Sequence, residues 1–86
     1  LIKVTTEEIK FIYISANTDS WIEIQKHNLE ILVSKVIKKN EKIKILYEKG
    51  LILVTGNAGG IIIQINDKII NNIGMPGEVK RNISLN

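Results

Sequence analysis

Residues 51–65 read LILVTGNAGGIIIQI, and this stretch decides the fold. Two apolar, largely β-branched runs, 51–55 and 61–65, flank Gly56, Asn57, Ala58, Gly59 and Gly60. Short aliphatic runs broken by glycine and asparagine predict strand, turn, strand. Large aliphatics occupy successive positions in both runs, so each strand is apolar on both faces and needs cover on both sides. The stretch therefore reads as a hairpin lying centrally, with Gly and Asn supplying positive φ in a tight bend. A phosphate loop is the competing reading of the glycines. Such a loop opens a helix and ends in lysine followed by serine or threonine, whereas here Ile61 follows Gly60 and opens a strand.

Toward the C-terminus, Asn66-Asp67 is a tight turn, 68–70 a short strand and 71–77 a longer loop. Residues 79–85 close the fold, with Val79, Ile83 and Leu85 inward and Lys80, Asn82 and Ser84 outward. Arg81 falls on the inward parity and belongs at a sheet margin with its head in solvent. Toward the N-terminus, 42–46 is a half-buried strand whose Lys42 and Lys44 face water and guard an edge. Residues 38–41 turn the chain, and 31–37 form the strand before them. Leu29, Leu32, Val33 and Val36 do fall at helical spacing, but the β-branched run, the missing helix stop and the neighbouring strands favour a strand. His27-Asn28 is a turn, and 21–26 alternates, Ile22 and Ile24 against Glu23 and Gln25, with Trp21 on the polar parity. Asn17 to Ser20 is a turn of side chains that bond their own backbone. In 10–16, Phe11 and Tyr13 share one face and Ile12 and Ile14 the other. The sum is an all-β chain of about seven or eight short strands, a small antiparallel β-sandwich, Ig-like or barrel-like. A single β domain spans residues 1–86, with 1–8 as lead-in or edge strand.

At 86 residues there is room for one core. A chain of this size buries about 60% of its unfolded surface, so stability rests on filling that core well. Isoleucine dominates the aliphatics, and its branched Cβ suits a pleated surface. The chain has no cysteine, which excludes disulfides and thiolate chemistry but leaves the compartment open. It opens on Leu1, which reads as a piece of a longer protein, and no apolar run is long enough to span a membrane. The net charge is +3, with glutamates scattered among the lysines. That pattern describes a mixed, solvated surface.

The sequence offers no catalytic centre. His27 is the lone histidine, and a zinc or copper site needs about three or four nitrogen or thiolate ligands. No serine sits in a nucleophile turn, and Glu7-Glu8 lie at a chain end. The expectation is no enzyme, no metal and no cofactor. Modules that bind single-stranded nucleic acid stack bases on aromatics interleaved with basic residues. Phe11, Tyr13, Trp21 and Tyr47 are the aromatics, and no basic stripe interleaves with them, so nucleic acid is not expected as a partner of this domain. Trp21 reads either as a recognition residue, for a protein or a glycan, or as cover over the end of the sandwich against the first hairpin.

Three segments in order carry a family resemblance: Asp19-Ser20-Trp21-Ile22-Glu23-Ile24, Leu53-Val54-Thr55-Gly56-Asn57-Ala58-Gly59-Gly60, and the run MPGEVKRNISL over residues 75–85. Together they resemble the C-terminal periplasmic domain of the RodZ family of bacterial cell-shape proteins, from about Lys10 onward. Two turns depart from the family pattern. His27-Asn28 stands where an Asp-x-Gly turn is usual, and Asn40 where glycine is frequent. The resemblance implies a longer protein, in which a missing cytoplasmic helix-turn-helix domain binds the actin-like filament protein MreB. A missing anchor would hold the chain to the membrane, with this domain on the periplasmic side of the bacterial inner membrane. It implies a non-catalytic interaction module whose partners are proteins of the cell-wall elongation complex, and no catalytic residue. Trp21, with Lys42 and Lys44, is the expected partner-binding surface. Gly56, Asn57, Ala58, Gly59, Gly60, Pro76 and Gly77 form the expected structural turn motif. The alternative is a glycan- or peptidoglycan-binding β module.

Overall fold

The computed structural model describes residues 10–85; the lead-in expected over 1–8 lies outside them. Eight strands follow one another: β1 (Phe11–Ala16), β2 (Ser20–Gln25), β3 (Ile31–Ile37), β4 (Lys42–Leu46), β5 (Ile52–Thr55), β6 (Ile61–Ile65), β7 (Lys68–Ile70) and β8 (Lys80–Ser84). One 3-10 turn, Ala58–Gly60, separates β5 from β6. The β-branched segment over 31–37 is a strand, as its composition favours over helical spacing. The strands form two antiparallel four-stranded sheets, β4-β1-β6-β7 and β3-β2-β5-β8. Their inner faces share one core: Ile12, Ile14, Ile45, Ile61 and Ile63 from the first sheet meet Ile22, Ile24, Ile37, Leu53 and Leu85 from the second.

The stretch at 51–65 is not a hairpin. β5 pairs with β2 and β8, whereas β6 pairs with β1 and β7, so the glycine link carries the chain from one sheet to the other. Centrality does hold: each strand has a neighbour on both sides. Cover on both faces is met by the opposite sheet inside and by neighbouring side chains outside, where Val54 is buried and Ile62 half-buried. A sheet-to-sheet link must span about 10 Å, and five residues with a single 3-10 turn do so where a two-residue turn could not. The β1–β2 link crosses in the same way, so there is no first hairpin for Trp21 to cover. Among the described residues, local hairpins join β2 to β3 and β6 to β7 alone.

Positive φ falls elsewhere than the loop glycines. It occurs at Leu29, Asn40, Asn66, Asn82, Gly50 and Gly77, while Asn57 sits at φ −152. Asn40, where the resembled family frequently has glycine, sits at φ 68, and asparagine is the side chain other than glycine that tolerates that region best. Leu29, at φ 71, occupies the left-handed position of the β2–β3 turn, held by Leu29 N–H to Lys26 O at 2.9 Å. A left-handed conformation costs a non-glycine residue about 1–2 kcal/mol, and Leu29 is 74% exposed, so its side chain offsets little of this. Leu29→Gly should therefore stabilise the domain by about 0.5–1 kcal/mol after the extra unfolded-state entropy of glycine, read as a higher midpoint in urea.

The closing strand also departs from simple alternation. Leu53 faces Ile83 and Thr55 faces Lys80, so Val54 stands opposite both Arg81 and Asn82, and Asn82 takes φ 60. This bulge reverses the parity. Ile83 and Leu85 stay inward, but Lys80 is half-buried on the inner side and Val79, expected inside, is 58% exposed. Arg81 is exposed, as its place at a sheet margin requires.

Candidate functional site

The turn motif assembles at one end of the sandwich, and its amides are spent within the protein. Gly56 N–H donates to Trp21 O, Asn57 N–H to Thr55 Oγ1, Ala58 N–H to Glu78 O, Gly59 N–H to Met75 O and Gly60 N–H to Asn57 O. No amide of the loop is left for an anion, which disposes of the phosphate-loop reading. Asn57 ties three segments together: its Oδ1 accepts Gly77 N–H at 2.7 Å and its Nδ2 donates to Thr18 Oγ1 at 3.3 Å. Thr55, fully buried, donates its hydroxyl to Trp21 O at 3.0 Å. Gly56 to Gly60 and Pro76-Gly77 are thus one polar clasp between the 56–60 and 74–78 loops and the turn before β2.

The expected partner-binding residues do not share a surface. Trp21 points outward from β2, 39% exposed, with Val36 beside it on β3 and Gly56 on its other flank. Glu23 and Gln25 continue that face, joined by Gln25 Nε2 to Glu23 Oε2 at 2.6 Å. Lys42 and Lys44 lie on the outer face of the other sheet, across the full thickness of the sandwich. There they do meet aromatics, contrary to the sequence reading. Lys42 Nζ stands 5.6 Å from the centre of the Tyr13 ring and Lys44 Nζ 4.0 Å from that of Phe11. Pairing of β1 with β4 sets Tyr13 opposite Lys44 and Phe11 opposite Leu46, so each lysine reaches diagonally to a ring. Residues thirty apart in sequence meet only through this register, which no local pattern reveals. Leu46, Ser15, Ile62, Gln64 and Ile69 complete the face, and no carboxylate stands among them.

Sequence reasoning also missed the side of the molecule where β3 faces β4. Lys35, opposite Ile22, takes the inward parity of β3 and reaches Glu41 at 2.9 Å. An inward charge on an edge strand is a known guard against edge pairing. Beyond this latch the side opens into a groove of about 540 Å³ lined by Leu32, Val33, Ile45, Leu46 and Tyr47 together with Lys26, Lys44 and Glu48. The sequence signal for it was the charged Lys35 within an otherwise uncharged, mostly apolar run.

Glu41 accepts the Lys38 backbone N–H at 2.9 Å as well as the Lys35 ammonium, and these bonds hold its carboxyl below the ordinary glutamate value of 4.5. A depressed folded-state pKa adds stability above the ordinary value, and that stability is lost as the pH falls through the depressed one. Glu41→Gln should therefore be less stable than the parent at neutral pH, with the difference closing below about pH 4. Urea midpoints of both chains across an acid series measure this.

Among the described residues no three His, Cys, Asp or Glu side chains converge as a metal site, and no helix is long and apolar enough to cross a membrane. The architecture is that of a small all-β module: two antiparallel sheets, a polar clasp at one end and two chemically different outer faces. The chain belongs to the RodZ C-terminal domain family, whose model matches residues 13–82. The matched span runs from β1 into β8 and takes in the clasp and both outer faces except Phe11. No curated protein and no solved structure matches the chain. Family membership makes it a module of a cell-shape protein, with partners in the cell-shape machinery.

Proposed function

We propose that the chain is a non-catalytic interaction module on the periplasmic side of the bacterial inner membrane. In the full-length protein it couples the MreB cytoskeleton, bound by a separate cytoplasmic domain, to proteins of the cell-wall elongation complex. The observation that carries this reading is the family match over residues 13–82. Two outer faces of different chemistry support it, since a rigid sandwich can hold separate partners apart. Trp21 is the proposed anchor on one face: a large, half-exposed aromatic flanked by Val36 suits a protein contact.

The test uses the full-length protein in a rod-shaped cell, with a photo-crosslinker beside position 21. Trp21→Ala should reduce crosslinking to elongation-complex proteins at least about tenfold, the scale of a modest hot spot. The purified chain should keep its thermal midpoint within a few degrees. Saturable capture by purified wall glycan strands, with no crosslink to an elongation protein, would establish the glycan-binding alternative in its place. Unfolding of the variant would assign Trp21 to structure alone.

A further inference from the structure

β4 is an edge strand, and its free side combines three properties seldom found together. The first is an open row of backbone groups. Ala16 N–H donates to Glu41 O at 3.2 Å and Tyr47 N–H to Lys10 O at 2.8 Å. Antiparallel pairing alternates, so the backbone groups of Glu41, Ile43, Ile45 and Tyr47 turn toward β1. Those of Lys42, Lys44 and Leu46 then turn toward the edge, where no described strand pairs with them.

The second property is uncompensated positive charge on those same residues. The acids that flank β4 are already engaged: Glu41 with Lys35 at 2.9 Å and Glu48 with Lys26 at 3.8 Å. Lys42 and Lys44 form no ion pair with any described residue, and their ammonium groups rest against Tyr13 and Phe11. The third is the groove of about 540 Å³ at the same edge, lined by Leu32, Val33, Ile45, Leu46 and Tyr47, with Lys44 also on its wall. An added strand would send alternate side chains to the outer face, against Lys42 and Lys44, and the rest toward this apolar groove.

We propose that the β4 edge takes an extended acidic segment of a partner protein as an added strand. Its acidic side chains lie opposite Lys42 and Lys44, and its alternate apolar side chains enter the groove beside Val33 and Ile45. Main-chain hydrogen bonds supply affinity in this mode, and the side-chain pattern supplies selectivity. The lysines that admit an acidic strand reject a second copy of β4, which would set like charges opposite one another. Nucleic acid fits less well. The ring faces it would stack on are covered by ammonium groups, and exposed Leu46 and Ile69 offer it nothing. The inference rests on the reading of the chain as an interaction module and states the chemistry of one partner segment.

The experiment titrates the chain with a capped synthetic peptide of alternating Glu and Val, and with a second in which Lys replaces Glu, following backbone amide exchange by NMR. The acidic peptide should saturate and slow exchange of the Lys42, Lys44 and Leu46 amides, while the basic peptide should not. The double variant Lys42→Glu with Lys44→Glu should reverse this preference, by about tenfold or more each way. Leu46→Pro removes an edge donor that β1 does not use and should weaken the acidic peptide without altering its charge contacts. If that variant fails to fold, the charge reversal decides. Binding without amide protection, equal binding of both peptides, or the same protection from oligo-dT would overturn the proposal. A chain that still crosslinks to elongation proteins but shows no edge protection loses this inference and keeps the function proposed above.

Discussion

Gly59→Ala is expected to cost about 3 kcal/mol or more and to lower the thermal midpoint by at least about 12 °C. An added Cβ would overlap the backbone of Met75 and Pro76, with Pro76 Cα only 2.7 Å away. Backbone cannot rotate aside as a side chain can, so relief requires the two loops to part. Parting them also breaks Gly59 N–H to Met75 O and Ala58 N–H to Glu78 O, both bonds of the clasp. The glycine is required by close approach and not by dihedral angle, since it is absent from the positive-φ residues. Two controls separate these causes. Gly77, at φ 78, has open space around its would-be Cβ, so Gly77→Ala should cost only about 0.5–1 kcal/mol, the left-handed penalty less the unfolded-state entropy that alanine saves. At Gly56 the nearest atom would be Trp21 Cβ at 3.8 Å, an ordinary contact, and Gly56→Ala should be nearly neutral. Urea unfolding of the three variants checks the order; equal costs at Gly59 and Gly77 would show that the loops yield freely.

Ile14→Ala is the second large effect, at about 2–5 kcal/mol. Ile14 has no exposed surface and stands at the middle of β1, directly between Ile43 on β4 and Ile63 on β6. Its removal opens a cavity among side chains from both sheets, and branched neighbours on paired strands cannot swing in to fill it. For an 86-residue chain, a total stability of about 4–13 kcal/mol follows from the usual per-residue range. The substitution therefore takes about a sixth of it at the least and more than half where the domain is marginal. At about 4–8 °C per kcal/mol, the thermal midpoint should fall by at least about 8 °C. Ile69→Ala is the matched control: Ile69 is 60% exposed on β7, and its truncation should stay within about 0.5 kcal/mol.

These predictions draw on different layers of information. Burial of Ile14 was already written in the alternation of β1, where Ile12 and Ile14 share the face opposite Phe11 and Tyr13. The requirement at Gly59 was not, because the backbone it touches lies at Met75 and Pro76, sixteen and seventeen residues on and in another loop. The candidate site divides in the same way. Lys42 and Lys44 were recognisable as outward residues of a half-buried strand, and Trp21 as the odd residue on a polar parity. That the lysines rest on Phe11 and Tyr13, and that Trp21 lies on the opposite outer face, depended on which strands pair.

By itself the sequence determined the strands, their turns and most inward-facing side chains, because alternation and turn chemistry act over a few residues. It also carried the family, through motifs that each lie within one short segment. The assignment of strands to sheets came only from the tertiary structure. A strand of aliphatics on both faces is satisfied by any two covering neighbours, and so β5 and β6, adjacent in sequence, could join different sheets. The same freedom hid the bulge at Asn82, the Lys35–Glu41 latch and the open edge of β4. Each is set by pairing partners far away along the chain, whose contacts become favourable only once both sheets have closed over the common core.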